Sequence, residues 1–267
     1  MVKHRFLLAL FAAIVLVNVY TVRCFAEFPS TNHWDSLSEA GWNCVNRSNG
    51  QATIDSGTNT PDPGNALKFT FPAGWVAGGE PAHCWNMYGA AKSEVWVLFY
   101  FKFSSNYYWN SVRNKIAYQW IGPDSGNNHF IGLQGSRHVV WEMQGAESRL
   151  MGSNTGYDPR IEAGQWYKIK MHAVINTPGV GDGTAEIWVN DQKLMRYSDV
   201  MFRSGNEGGM GFDELTFTPV FGGMSGEVKP AADYLWIDHV VISSTDPGGG
   251  PGLYSKVPSP PTLLKIE

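Results

Sequence analysis

Apolar and polar residues alternate with a period of two along much of this chain, the pattern of strands that bury one face. Residues 95–103 show it most cleanly. Val95, Val97, Phe99, Phe101 and Phe103 fall on one side, and Trp96, Leu98, Tyr100 and Lys102 on the other. The first face predicts packing between two sheets; the second carries aromatic bodies with polar tips and suits a surface that meets water or a sugar. From Trp166 onward, Tyr167, Ile169, Met171, Ala173 and Ile175 alternate with Lys168, Lys170, His172 and Asn176. Burial explains the apolar set and leaves the row of cations and an imidazole to be accounted for.

Other strand-like stretches lie at 65–71, 115–122, 129–135, 138–145, 214–223 and 234–243, rich in aromatic and β-branched residues. Between them stand "GPDSGNN", "NTPGVGDG" and "RSGNEGG", which is turn chemistry. Asn176, Gly179, Asp182 and Gly183 are expected to shape a long hairpin connection, with the glycines supplying positive φ. Asp238 in "WIDH" reads as a carboxylate satisfied by backbone N–H groups. No long amphipathic helical pattern occurs. The fold class predicted is all-β, a two-sheet antiparallel sandwich or jelly roll.

The chain opens with Lys3, His4 and Arg5, an apolar run over 6–19 and a small-residue exit at Ala26. That layout predicts a secretory signal peptide over 1–26. The run is short of the roughly 20 residues of a membrane span, so no stable span is expected after cleavage. The destination would be secreted, periplasmic or cell-surface. One carbohydrate-active β domain is expected over 27–245, followed at 246–267 by a flexible Gly/Pro-rich tail.

Removing residues 1–26 takes away Lys3, Arg5 and Arg23 and no acid, leaving 17 basic residues against 24 acids, a net charge of −7. This argues against a nucleic-acid partner while leaving room for a locally basic cleft. Cys44 and Cys84 are the cysteines left, and in an exported chain they form one structural disulfide. No Cys/His spacing suggests zinc, so no metal ligands are nominated. No cofactor is required; a structural calcium near Asp182 stays open, although no EF-hand-like ligand spacing supports it.

Three stretches together resemble a known family. "GQWYKIKMHAVINTPGVGDGTAEIWVNDQKLMRYSDVMFR" is similar to the paired strands of polysaccharide-lyase-like proteins with the concanavalin-A-like jelly-roll fold. "YLWIDHVVIS" resembles their final strand, and "VWVLFYFKFSSNYYW…NKIAYQWIG" their early core strands. The resemblance covers most of 65–243. It implies a jelly roll that binds a polysaccharide or oligosaccharide, and a group that mixes lyases with sugar-binding members. The alginate-lyase triplets "QIH" and "QVH" and a "YxKxGxYxQ" run are not present.

Eliminating a uronic-acid polymer needs three roles: a donor that neutralises the C-6 carboxylate, a base for the C-5 proton, and an acid for the leaving oxygen. In this fold such groups stand on one sheet face. His129 or His172 is expected as the base, Tyr118 or Lys170 as the acid, and Gln119, Gln134 or Arg137 at the carboxylate. Lys115, Glu142, Tyr108, Trp109 and Arg113 are further substrate-binding candidates, the last three in the loop "SSNYYWNSVRNK". Strict alternation puts Tyr118 and Gln119 on opposite faces unless a bulge intervenes.

A non-catalytic, lectin-like binding module is the alternative reading, since it needs only the groove and the aromatics. A glycoside hydrolase would want paired carboxylates on one face. Glu186 with Asp191, and Glu142 with Glu147, have odd spacing and fail that test.

Overall fold

The computed structural model describes residue 28 and residues 30–249 except 48, 123–125 and 224. The expected signal peptide and most of the expected tail therefore lie outside the described residues.

Among the described residues, fifteen strands are divided between two sheets. They are β1 (Ser30–Asn32), β2 (Trp42–Asn46), β3 (Gln51–Asp55), β4 (Ala66–Phe71), β5 (Ala82–Lys92), β6 (Glu94–Phe103), β7 (Arg113–Ile121) and β8 (Asn128–Gln134). Then follow β9 (Val139–Gln144), β10 (Arg149–Met151), β11 (Trp166–Val174), β12 (Gly183–Val189), β13 (Gln192–Val200), β14 (Phe212–Phe217) and β15 (Asp233–Ser243). The first sheet runs β13-β12-β11-β6-β15-β4-β3, with β1 added to β15. The second runs β10-β9-β8-β7-β14-β5-β2. The all-β antiparallel sandwich expected from the alternation is the fold observed.

The core lies between the sheets. Phe99, Phe101 and Phe103 of β6 are fully buried and meet Phe217 of β14 and Tyr107, Trp109 and Tyr167. Burying each phenylalanine contributes roughly 1.5–3 kcal/mol. Trp42 of β2 stacks on Phe217 at 5.2 Å. Beside it, Cys44 and Cys84 form the expected disulfide across the β2–β5 pair, 40 residues apart in sequence.

Turn chemistry sets the connections. Between β12 and β13, Asn190 and Asp191 both have positive φ, the requirement of a two-residue type I′ hairpin. The "NTPGVGDG" segment shapes the connection with Gly179 at φ 74°, but Gly183 does not have the positive φ expected of it; a Cβ there would stand 2.7 Å from the Val200 carbonyl. The Asn176 amide donates to the carbonyls of Thr177, Val180 and Arg203, its oxygen accepts the Arg203 N–H, and Asp182 accepts the Thr177 N–H.

A buried cation anchors the loop entering β7. Lys229 Nζ donates to Asp233 Oδ2 at 2.6 Å and to the Tyr108 carbonyl at 3.1 Å. The rings of Tyr107, Phe221 and Phe71 surround it at 3.8, 4.1 and 4.8 Å. Burial lowers the lysine to about 8, its partner carboxylate opposing, and raises Asp233. Removing one partner strands the other charge, so Lys229→Ala is expected to lose about 3–5 kcal/mol of stability. Equilibrium urea unfolding checks this, and adding Asp233→Asn should recover part of the loss.

Candidate active site

Each sheet has one outward face, and the two faces differ in how their charges are satisfied. On the first sheet, the cation row of β11 is paired throughout. Lys168 forms a close ion pair with Asp191, and Lys170 reaches Asp246 at 2.9 Å. His172 is held on both sides, Nδ1 2.8 Å from Glu186 and Nε2 2.9 Å from Glu94, and it stacks on Trp96 at 3.9 Å. Asp246, at the start of the expected tail, is thus docked against β11. These contacts explain the row: it neutralises carboxylates brought in by β6, β12, the β12–β13 turn and the segment after β15.

The outward face of the second sheet is arranged differently. Cross-strand register aligns Trp85 of β5, Thr216 of β14, Tyr118 of β7, Phe130 of β8 and Glu142 of β9 in one row. Tyr118, Phe130 and Val220 pack as an apolar floor with Trp120 against it. Lys115 Nζ lies over this floor, 4.4 Å from the Phe130 ring centre and 5.5 Å from that of Tyr118. Among the described residues no ion pair or side-chain hydrogen bond reaches that amine. Burial holds Lys115 below the ordinary lysine value; Glu142 opposes the shift and Arg113 adds to it.

Arg113 Nη2 sits 2.9 Å from Glu142 Oε2, while its buried Nη1 has no partner and keeps a donor free. Burial raises the Tyr118 phenol well above its usual range, with Glu80 and Glu142 adding to the shift, so it stays protonated. At the edge of the face, His83 Nδ1 is 2.9 Å from Thr218 Oγ1 and its ring packs against Trp85. The Trp120 indole N–H donates to Thr216 Oγ1, which donates to Glu214.

A bulge builds this face. Lys115 and Tyr118 are three residues apart and would point to opposite sides of a regular strand. The β7–β8 register shifts between Lys115 and Ala117, so Ile116 and Ala117 both enter the core and Lys115 joins Tyr118 outside. Gly132 of β8 faces Lys115 and lets the β7 backbone approach closely there, while Arg113 reaches across to Glu142 on β9.

The predicted groove residues do not share one surface. Lys170 and His172 stand on the first sheet, whereas Arg113, Lys115, Tyr118, Gln134 and Glu142 belong to the second. A single trough combining both sets is therefore corrected: alternation fixes which face of a strand is polar, and only the pairing decides which sheet that face belongs to.

His129 is also corrected. It points inward from β8, fully buried, stacked 4.6 Å from Trp141 and flanked by Phe202 and Phe212. Neither ring nitrogen has a partner among the described residues, and burial drives its pKa down to about 3. It cannot meet a glycan. Gln119, its cross-strand neighbour, is buried likewise and bonds Tyr88 inside the sandwich. Arg137 occupies the β8–β9 turn with φ 71°, bonded to Glu162 and set against Trp109. Trp109 packs on Phe103, while Tyr108 is exposed beside Phe221. Asp238 accepts the N–H groups of Asp62 and His239, as its setting predicted.

Trp85, His83, Trp120, Glu214 and Thr216 were not found by reading the sequence. The stretch "AHCWNMYGAAK" holds the signal for the first two: His83, Trp85 and Met87 alternate with Cys84, Asn86 and Tyr88. Its alanines, asparagine and glycine weaken the strand pattern.

A family model described as polysaccharide lyase matches residues 27–213. The chain belongs to the polysaccharide lyase family. Among solved structures, a mutant of alginate lyase Aly36B in complex with an alginate trisaccharide aligns with TM-score 0.62 at 15% identity, over 82% of this chain and 99% of that one. The endo-β-1,4-glucuronan lyase of the fungus Trichoderma reesei aligns with TM-score 0.60 at 15% identity, over 82% and 96%. The PL-14 alginate lyase of Aplysia kurodai gives TM-score 0.62 at 12% identity, over 82% and 98%. At these identities the likeness shows a shared fold. No curated protein matches the sequence.

A Cβ at Gly132 would stand 2.8 Å from the Asn114 carbonyl and 3.1 Å from Lys115 Cα. Gly132→Ala therefore has to displace β7 under the site, with an expected destabilisation of about 1–3 kcal/mol read by chemical denaturation.

Proposed function

We propose that this family member is a lyase that cleaves a uronic-acid polysaccharide by β-elimination on the outward face of the second sheet. The observation that carries the reading is Lys115, a desolvated amine that forms no ion pair among the described residues, held over an aromatic floor beside the Arg113 guanidinium. Family membership and the fold shared with alginate and glucuronan lyases support the substrate class.

The Arg113 guanidinium supplies positive charge toward the C-6 carboxylate, stabilising the charge that develops when the C-5 proton leaves. Lys115 in its neutral form takes that proton. The C-5–H pair of electrons forms the C-4=C-5 double bond as the C-4–O bond breaks. The Tyr118 hydroxyl then protonates the departing oxygen. Trp120, backed by Tyr118 and Phe130, offers its ring to the C–H faces of the sugars. Export is part of the proposal, supported by the charged and apolar leading segment and by the Cys44–Cys84 disulfide.

The test is incubation with a panel of uronic-acid polymers while following the ultraviolet absorbance of the conjugated unsaturated product. Product formation is expected; glycan binding without product would instead establish a binding module. Lys115→Ala should reduce kcat/KM by roughly 10²–10⁴-fold, Lys115→Arg should not restore it, and Tyr118→Phe should act mainly on kcat.

The base must be neutral, so activity falls as pH falls through the Lys115 pKa. Because burial lowers that pKa, the rising limb of the pH profile should lie below the ordinary lysine value of 10.5. A profile of kcat/KM against pH, with no such limb, would exclude Lys115 as the base.

A further inference from the structure

Away from the Lys115 face, three segments remote in sequence converge on one point of the first sheet. His33 follows β1, Asp62 lies in the connection from β3 to β4, and His239 interrupts β15. The two imidazoles approach one oxygen: His33 Nδ1 is 2.6 Å from Asp62 Oδ2, and His239 Nδ1 is 2.9 Å from it. One donor atom from each residue lies within 4.8 Å of the others.

Each member is held by a neighbour. Glu39 Oε1 accepts the His33 N–H at 3.0 Å. Asp238 accepts the Asp62 N–H through Oδ2 and the His239 N–H through Oδ1. His239 itself has φ 44°, a left-handed conformation uncommon for a residue with a Cβ. Leu235 and Ile237 point into the core, so regular alternation would send residue 239 inward too. The register of β15 against β6 shifts between Asp238 and Val241, after which Val240 and Ile242 fill the core positions. The bulge thereby puts the imidazole beside Asp62 instead of in the core. Backbone strain kept at such a point directs attention to what the side chain does there.

The donor chemistry narrows the occupant. Two imidazole nitrogens and one carboxylate suit a borderline divalent ion of the first transition row. Calcium takes six to eight oxygen ligands, and this trio offers two nitrogens in place of oxygens. A calcium ion therefore does not fit these three residues. Ligand atoms around a tetrahedral zinc are about 3.3 Å apart, given Zn–N and Zn–O bonds near 2 Å, so the two imidazole–carboxylate distances need open only slightly.

We propose that His33, Asp62 and His239 bind one zinc-class divalent ion, with water completing its coordination. Both Nδ1 atoms present lone pairs to the ion, their protons passing to Nε2 or to solvent. The ion ties the N-terminal strand and the β3–β4 connection to the last strand. It sits on the first sheet and takes no part in chemistry at Lys115, so its role is structural.

The full chain, stripped of metal with a chelator, is titrated with Zn2+, Co2+ and Ca2+. One equivalent of Zn2+ should bind and raise Tm, with reversal by chelator. Co2+ should give the visible absorption of a nitrogen-ligated, low-coordinate site, and Ca2+ should change neither readout. His33 is half exposed, so His33→Ala should fold normally yet bind Zn2+ on the order of 100-fold more weakly. Asp62→Asn, which preserves shape, should lose binding as well. The proposal is overturned if Zn2+ gives no saturable shift, if His33→Ala and Asp62→Asn bind it like the parent, or if Ca2+ is the ion retained.

Discussion

The structure depends on one constraint: two sheets must bury their apolar faces against each other, and a strand shows alternate residues to opposite sides. β6 meets it with valines and phenylalanines at every second position, and β11, β12 and β15 follow the same rule. Whatever remains polar is driven to one of two outward faces. The chemistry of this protein is therefore a question about those faces and about the places where alternation is broken.

The faces answer their charges in different ways. On the first sheet, Lys170, Lys193 and His172 meet carboxylates at hydrogen-bond distance, which uses up their capacity to attract a polyanion. On the second, aromatic side chains displace water around Lys115 and no acid closes on it; Glu142 is engaged by Arg113. An ammonium in that setting loses hydration without gaining a partner, and its proton is held less tightly. The same physics operates at Lys229, but there Asp233 and three rings complete the cage and the outcome is an anchor. That anchor bears on the site, because Phe221 of the cage pairs with Asn114, next to Lys115.

Both candidate sites lie at bulges. One extra residue at Ile116 brings Lys115 round to Tyr118, and an irregularity at His239 brings an imidazole out to Asp62. In each case a side chain that alternation assigns to the wrong side is re-aimed, Lys115 over Tyr118 of its own strand and Phe130 of the next, and His239 at Asp62 from the β3–β4 connection. The core polar pair Gln119 and His129 shows the opposite case. There alternation holds, and two groups suited to chemistry are shut inside with unpartnered atoms.

Much of the fold could be read from residues alone. Alternation located β4, β6, β7, β8, β9, β11, β12 and β15, and turn chemistry explained Asn176 and Asp182; the cysteine count gave the disulfide. The sequence pattern missed β2, β3, β5 and β13, where small, polar or charged residues blur the period, and the three-residue β1 and β10, too short to carry one. Local pattern determines which side of a strand is polar, because that depends only on the geometry of successive residues. It does not determine which polar sides adjoin, since pairing between β11 and β6 or β7 and β8 is settled by packing of the whole sandwich. For that reason Lys170 and His172 looked like partners of Gln134 and proved to lie on another surface, while Lys115 and Tyr118 looked opposed and were brought together by a single inserted residue.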